Sequence, residues 1–283
     1  MGLSLLLASA FAGTLSRSIV HPMDTLRSRL MVSTSRTASL RSALSDIISE
    51  DGIQGLYRGF WISVTMQAPA VATYLSTYDY SKQYISRETN TPDTSPVIHL
   101  ASGFVAEAVS AVFWVPMEVI KQRAQVRTGA LAAAQTTVIA RDLIAHEGPQ
   151  ALFRGYGLTL GVFGPYAMTY FMVYEKFKSL GGDSSTPAIA LSAAGAGAIA
   201  GACTSPLDVI KTRIQTQGDV SHGGLRYSGT WDAIRCIARE EGIQGFLRGT
   251  SARVLWIMPG TAITMSCFEF LKSFFRLGPE RQR

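Results

Sequence analysis

Six stretches, about 2–31, 59–86, 97–126, 155–179, 187–216 and 249–276, are rich in Leu, Ile, Val, Ala, Gly and aromatic residues, with shorter polar segments between them. At 1.5 Å per residue each is long enough, as a helix, to cross a hydrocarbon core of ~30 Å. Few are apolar all round, which suits helices that turn one face to a wet cavity. The pattern predicts an all-α membrane protein with six transmembrane helices.

The same chain repeats itself three times, and such periodicity decides a fold before any local feature does. Pro22-Met-Asp-Thr-Leu-Arg-Ser-Arg29, Pro116-Met-Glu-Val-Ile-Lys-Gln-Arg123 and Pro206-Leu-Asp-Val-Ile-Lys-Thr-Arg213 share a proline, an acid two residues on, and bases five and seven residues on; the prolines lie 94 and 90 residues apart. A second block follows each: Asp51-Gly to Arg58-Gly59, Glu147-Gly to Arg154-Gly155 and Glu241-Gly to Arg248-Gly249. A third closes each unit, with Asp79 and Lys82, Glu175 and Lys178, and Glu269 and Lys272. The chain divides into repeats 1–96, 97–186 and 187–283, each a helix, a loop with a short helix, and a second helix. Ser9 with Gly13, and Gly197 with Gly201, have the four-residue spacing that lets helix backbones approach.

Composition narrows the function. The chain is 47% hydrophobic and 16% charged, with a mean hydropathy of +0.18. A net charge of +6 and a pI near 9.3 do not point to nucleic acid, because basic and aromatic residues are not interleaved on polar elements. Cys203, Cys236 and Cys267 are far apart and form no CxxC pair, so neither a disulfide framework nor a metal site is expected, and no cofactor is implied. The first residues, MGLSLLLASAFAG, lack a basic n-region and transit-peptide arginines, and Leu6 breaks the myristoylation pattern; a targeting signal is expected to be internal.

The triple motif resembles the mitochondrial carrier family over essentially the whole chain. The resemblance implies a threefold pseudosymmetric, multi-pass bundle in the mitochondrial inner membrane, with short matrix helices after each odd helix, working as a monomer. An acid and a base three residues apart share a helix face. Around a threefold axis, Asp24, Glu118 and Asp208 with Arg27, Lys121 and Lys211 form a matrix ring; Asp79, Glu175 and Glu269 with Lys82, Lys178 and Lys272 form a cytoplasmic one. Paired charges roughly balance their desolvation, so two such rings suit two alternating gates. In the family a glutamine braces the matrix ring; Gln125 and Gln215 match, while the first repeat has Met31. Arg58-Gly59 and Arg154-Gly155 resemble the family's cardiolipin sites, where a phosphate meets a helix amino end. Arg248-Gly249 carries Leu247 in the aromatic place. Membrane lipid is thus an expected partner, with a small-molecule substrate as cargo.

Substrate is expected between the rings, near the midplane. The resemblance places contact points at Met66 and Gln67, Val162 and Phe163, and Trp256 and Ile257, each just before a proline. None is charged, which demotes nucleotide and carboxylate cargo, since a buried anion needs a partner. Arg17 and Glu107 lie inside odd helices and intramembrane charge is functional by default. With Arg253 from the sixth helix they would match a zwitterion, carboxylate on Arg17 and ammonium on Glu107; the alternative is an internal Arg17 to Glu107 salt bridge. The second repeat, with Glu107 and VPMEVIKQRAQV, is similar to S-adenosylmethionine carriers, and its proline motif to mitoferrins. Arg17 departs from the former, and His21, His99, His146 and His222 form no obvious metal set. No nucleophile elbow or phosphate loop supports an enzyme. The leading reading is a solute transporter; a divalent metal or nucleotide carrier, and a carrier-fold protein without transport, are the alternatives.

Overall fold

The computed structural model describes residues 3–35, 39–127, 136–181, 186–218, 227–258 and 260. Those residues form helices and turns without a strand. The long helices are α1 (Leu3–Val32), α3 (Phe60–Thr89), α4 (Pro96–Val126), α6 (Tyr156–Gly181) and α7 (Thr186–Thr216), of 30, 30, 31, 26 and 31 residues. Shorter ones, α2 (Leu40–Asp51), α5 (Thr136–Glu147), α8 (Thr230–Glu240) and α9 (Ile243–Phe246), follow the odd-numbered spans, and a last helix, α10, is seen over 250–258. Its predicted remainder to 276, with Glu269, Lys272 and Cys267, lies outside the described residues.

Pro22, Pro116 and Pro206 sit inside α1, α4 and α7. Each removes a backbone donor and bends its helix, and past the bends the three helices draw together. Along α4 every residue from Ile120 to Val126 is buried, whereas Phe104, Val105, Val109 and Val112 are exposed for an apolar solvent to cover. The short helices close this end through apolar clusters: Ile47 and Leu56 against Leu26, Leu143 and Ala151 against Val115 and Val119, and Ala233 and Ile237 against Ile210 and Ile214. Between repeats, α3 packs along α4 and α6 along α7.

The pair Gly197 and Gly201 does admit a close neighbour: a Cβ at either would stand 2.9 and 2.5 Å from methyl carbons of Ile257 on α10. The Ser9 and Gly13 side chains fall outside what is described. Entry into each even span needs a left-handed residue, and Gly59, Gly155 and Gly249 supply it with φ of +72°, +76° and +76°. The turn also brings that glycine onto the next odd helix, so a Cβ on Gly59 would lie 2.9 Å from Lys121 Cγ and 3.1 Å from its Cα.

Gly59→Ala is therefore expected to cost about 1–3 kcal/mol through strain and overlap. Gly161→Ala, inside α6 with nothing within 4 Å of the new methyl, should be neutral or gain up to ~1 kcal/mol. Thermal unfolding of the purified protein in detergent separates the two; equal melting temperatures would refute the turn argument.

Candidate functional site

Where α1, α4 and α7 converge, the motif side chains meet across the repeats. Lys121 Nζ lies 2.8 Å from Asp24 Oδ2, Lys211 Nζ lies 2.7 Å from Glu118 Oε2, and the Arg27 guanidinium pairs with Asp208. Each repeat thus gives its acid to one neighbour and its base to the other. Asp24, Lys121, Asp208 and Lys211 are buried, and Arg27 also reaches Asp24 on its own helix at 3.4 Å. A fourth base joins them, since Arg253 Nη1 of α10 stands 3.3 Å from Asp208 Oδ2. The Trp256 ring lies under the Arg27 guanidinium, 5.6 Å from its centroid, so this contact residue faces the ring of charges.

The expected braces behave differently from one another. The Gln125 amide accepts from Ser28 Oγ at 2.8 Å and donates to Thr25 Oγ1 at 3.2 Å, gripping α1 beside Asp24 and Arg27 without touching either charge. Gln215 is fully buried, packs on Gly155, and leaves both amide atoms without a hydrogen-bond partner. Met31 fills the third place against Gly249 and accepts a long contact from Thr212 Oγ1 at 3.6 Å.

A second set of charges, not foreseen as a unit, lies just beyond the ring. Asp51 binds Arg29 at 3.0 Å and Arg58 at 2.9 Å; Glu147 binds Arg123 at 2.6 Å and also Arg154; Glu241 binds Arg213 at 2.5 Å and Arg248 at 2.9 Å. The same arginines donate to the last carbonyls of the next odd helix. Arg29 reaches Gln125 O at 2.7 Å, Arg123 reaches Gln217 O at 2.7 Å, and Arg213 reaches Met31 O at 2.9 Å. Arg58 donates to Arg127 O at 2.9 Å, Arg154 to Gln217 O at 3.3 Å, and Arg248 to Ser33 O. A helix leaves its final carbonyls unpaired and carries partial negative charge there, so paired guanidiniums cap it well. The guanidiniums of Arg58, Arg154 and Arg248, which the resemblance had assigned to lipid phosphate, are turned inward onto carboxylates and carbonyls. The signal was present in the recurrence of the final motif base and the acid before glycine, though spacing alone does not say that they meet.

The four described members of the other predicted ring do not meet across repeats. Asp79, Glu175 and Lys178 are exposed, and Lys82 pairs at 3.4 Å with Asp93 on the connection that follows its own helix. Tyr78, which opens that motif, bonds His99 Nδ1 at 2.6 Å. Among the described residues no ion pair joins Asp79, Lys82, Glu175 or Lys178 to another repeat's ring member. The described bundle is therefore closed at the end where α1, α4 and α7 converge, and the four described charges at its other end are not paired across repeats.

Between the two ends, Glu107 lies eleven residues before Glu118, three turns along the same face of α4, and within electrostatic reach of Glu118 and Lys211. Tyr74 of α3 adjoins it electrostatically, and the Tyr74 hydroxyl and the Phe163 ring both lie within 4 Å of a Cβ built on Gly103 one turn away. Among the described residues Glu107 has no ion-pair partner. Among the described residues Arg17 makes no ion pair with Glu107, and its register matches Ala111 and Gly201, which face the even helices of their own repeats. His21 is its electrostatic neighbour, held by Arg58 O at 2.9 Å. Of the contact residues, Met66, Gln67, Val162 and Phe163 are half-buried, but Ile257 is consumed in packing on Gly197 and Gly201.

A threefold helical bundle, sealed at one end by exchanged ion pairs and carrying a lone carboxylate within, is the architecture of a membrane solute transporter. The sequence matches the mitochondrial carrier protein family over residues 2–89, 92–185 and 182–278. The chain belongs to that family. It is 39% identical to "Mitochondrial substrate carrier family protein E" of Dictyostelium discoideum over 96% of this chain and 95% of the relative. It is 35% identical to "Probable S-adenosylmethionine carrier 2, chloroplastic" of Arabidopsis thaliana (94% and 73%) and 31% identical to human "Mitoferrin-2" (94% and 76%). Family members are transporters rather than enzymes, and the mitochondrial relatives indicate a mitochondrial membrane.

Outside the membrane spans, burial alone would raise the Glu147 carboxyl, but hydrogen bonds and charge from Arg123 and Arg154 outweigh it and hold it below the usual carboxylate range. A depressed folded-state pKa gives stability that is full above the unfolded value of ~4.3 and is lost as pH falls through the folded value. Glu147→Gln is expected to lose roughly 2 kcal/mol at pH 7, and its disadvantage should fade on acidification below about pH 4. Melting curves from pH 7 to pH 3 check this; a deficit independent of pH would contradict the charge argument.

Proposed function

We propose that the protein exchanges a zwitterionic, amino-acid-derived solute of the S-adenosylmethionine kind across the mitochondrial inner membrane by alternating access. The observation that carries the substrate class is Glu107, a carboxylate without an ion-pair partner on the inner stripe of α4, beside Tyr74 and Phe163. An unpaired intramembrane carboxylate calls for a cation, and the aromatic flank favours one with an apolar body. The likeness to an S-adenosylmethionine carrier supports that choice. In this reading the ring of Asp24, Glu118 and Asp208 with Arg27, Lys121 and Lys211 is the matrix gate. Asp79, Lys82, Glu175, Lys178, Glu269 and Lys272 are the opposing gate. Solute entering from the intermembrane side rests against a closed matrix ring; its binding energy offsets the cost of parting ion pairs that nearly balance their own desolvation.

A lipid phosphate is the proposed structural partner at a pocket of about 510 Å³ between repeats 2 and 3, bordered by Gly155, Tyr156 and Gly157 on one side and Ser228, Gly229 and Thr230 on the other. Amide groups at the α6 amino end supply the donors. Arg154 contributes positive field from its place on Glu147.

Purified protein in liposomes loaded with S-adenosylmethionine should take up the labelled compound by exchange, and Glu107→Gln should lower uptake at least tenfold, the loss of one charge-assisted contact. Undiminished exchange in Glu107→Gln would remove Glu107 from the site. Uptake of ferrous iron with none of S-adenosylmethionine would place the chain with metal carriers instead.

A further inference from the structure

The closed ring is not neutral. Its acids are Asp24, Glu118 and Asp208, and its bases are Arg27, Lys121, Lys211 and Arg253, so three carboxylates face four cations in a buried setting. The surplus comes from Arg253 alone. Its register is fixed by the bond from Arg253 N to Gly249 O at 2.9 Å, matched by Ser63 N to Gly59 O at 3.3 Å and Thr159 N to Gly155 O at 2.8 Å. At the two equivalent places the side chains are neutral, and their hydroxyls are spent on their own helices, on Gly59 O at 3.0 Å and Gly155 O at 3.1 Å. Threefold symmetry therefore breaks by one whole positive charge at ring level.

Arg253 is poorly used by the protein itself. It is 6% exposed, yet its Nη1, close enough to Asp208 for an ion pair, makes no hydrogen bond, and Asp208 Oδ2 is already occupied by Arg27. Opposite its Nε stands Gly201, whose missing side chain lets the arginine pack close to α7, its Nε 3.6 Å from where a Cβ would lie. Tyr166 of α6 and Glu118 of α4 are within electrostatic reach, so the group faces residues of the second repeat as well as Asp208 of its own. Buried guanidinium donors left unsatisfied are costly, and a planar carboxylate is the partner that their geometry fits.

We propose that Arg253 is the specificity residue that receives the anionic group of the transported solute, supplying the negative charge that the ring lacks. The inference rests on the zwitterion reading above and assigns to α10 the carboxylate that the sequence had placed on Arg17. Glu107 stands three turns, about 16 Å of helix, above Glu118, with side chains shortening the gap. The α-amine and carboxylate of an amino-acid moiety share one carbon, so a solute that touches both residues meets them with different parts of an extended molecule, its carboxylate at Arg253.

The test compares S-adenosylmethionine with its decarboxylated form, which keeps the adenosine, sulfonium and amine and loses only the carboxylate. Dissociation constants are taken from ligand-induced shifts in melting of the full chain in detergent. Wild type should bind the intact compound at least tenfold more tightly than the decarboxylated one, the order of one charge-assisted bond. In Arg253→Gln the ratio should fall to about one, and Arg253→Lys should lie between, since it keeps the charge but not the fork. Equal binding of both compounds by wild type, which needs no folded variant, overturns the proposal, as does an undiminished ratio in Arg253→Gln. No shift of wild type with either compound defeats the zwitterion reading and this inference with it.

Discussion

Charge that leaves water must find charge, and in this molecule it can find it only in another repeat. Asp24, Glu118 and Asp208 sit where three proline-bearing helices converge, the two aspartates buried from solvent and Glu118 half-buried beside them. Their partners Lys121, Lys211 and Arg27 all arrive from a neighbouring repeat, so the ring exists only when three helices are together. Such pairs are a poor source of net stability, because desolvation consumes most of their attraction, and that same near-balance is what a gate requires. A ring of apolar residues in their place would hold the end shut by packing with no counterpart to exchange for.

The arginine caps give the ring a frame. Each of Asp51, Glu147 and Glu241 orients two arginines toward the carboxyl end of the next odd helix. Helix ends and ring charges are thereby tied in one cyclic order, from repeat 1 to 2, 2 to 3 and 3 to 1. Departures from that order are few and local. Met31 takes a glutamine's place, Gln215 is left unsatisfied, and Arg253 adds a cation. Machinery common to the repeats obeys the symmetry, whereas an asymmetric cargo can be read only by residues that break it.

Much of the architecture was legible because the repeated motif constrains it three times over: helix spans, the bends at proline, and the shared face of each acid with the base three residues on. The partner of Arg58, Arg154 and Arg248 was not, since an arginine near a helix amino end suits a phosphate and a carboxylate equally, and only the fold brings Asp51, Glu147 and Glu241 within reach. The joint placing of Arg17 with Glu107 was not legible for another reason. Position inside an odd helix says nothing of which neighbour each side chain meets, and register with Ala111 and Gly201 turns Arg17 to its own repeat. Ile257 was taken for a solute contact because the motif position is one; the glycine stripe beside it makes it packing here. Arg253 was visible as a charge, but its place at the ring depends on the length of its side chain and on Gly201 opposite.

The central claim, that charges exchanged between repeats hold the converging end of the bundle, is tested most directly at Glu118 and Lys211, which pair with each other at 2.7 Å. Charge reversal at either position alone, Glu118→Lys or Lys211→Glu, leaves like charges in contact and should abolish exchange in liposomes. Reversal of both restores opposite charges in swapped order and should recover a substantial part of it. A double reversal no more active than the worse single one would contradict the account.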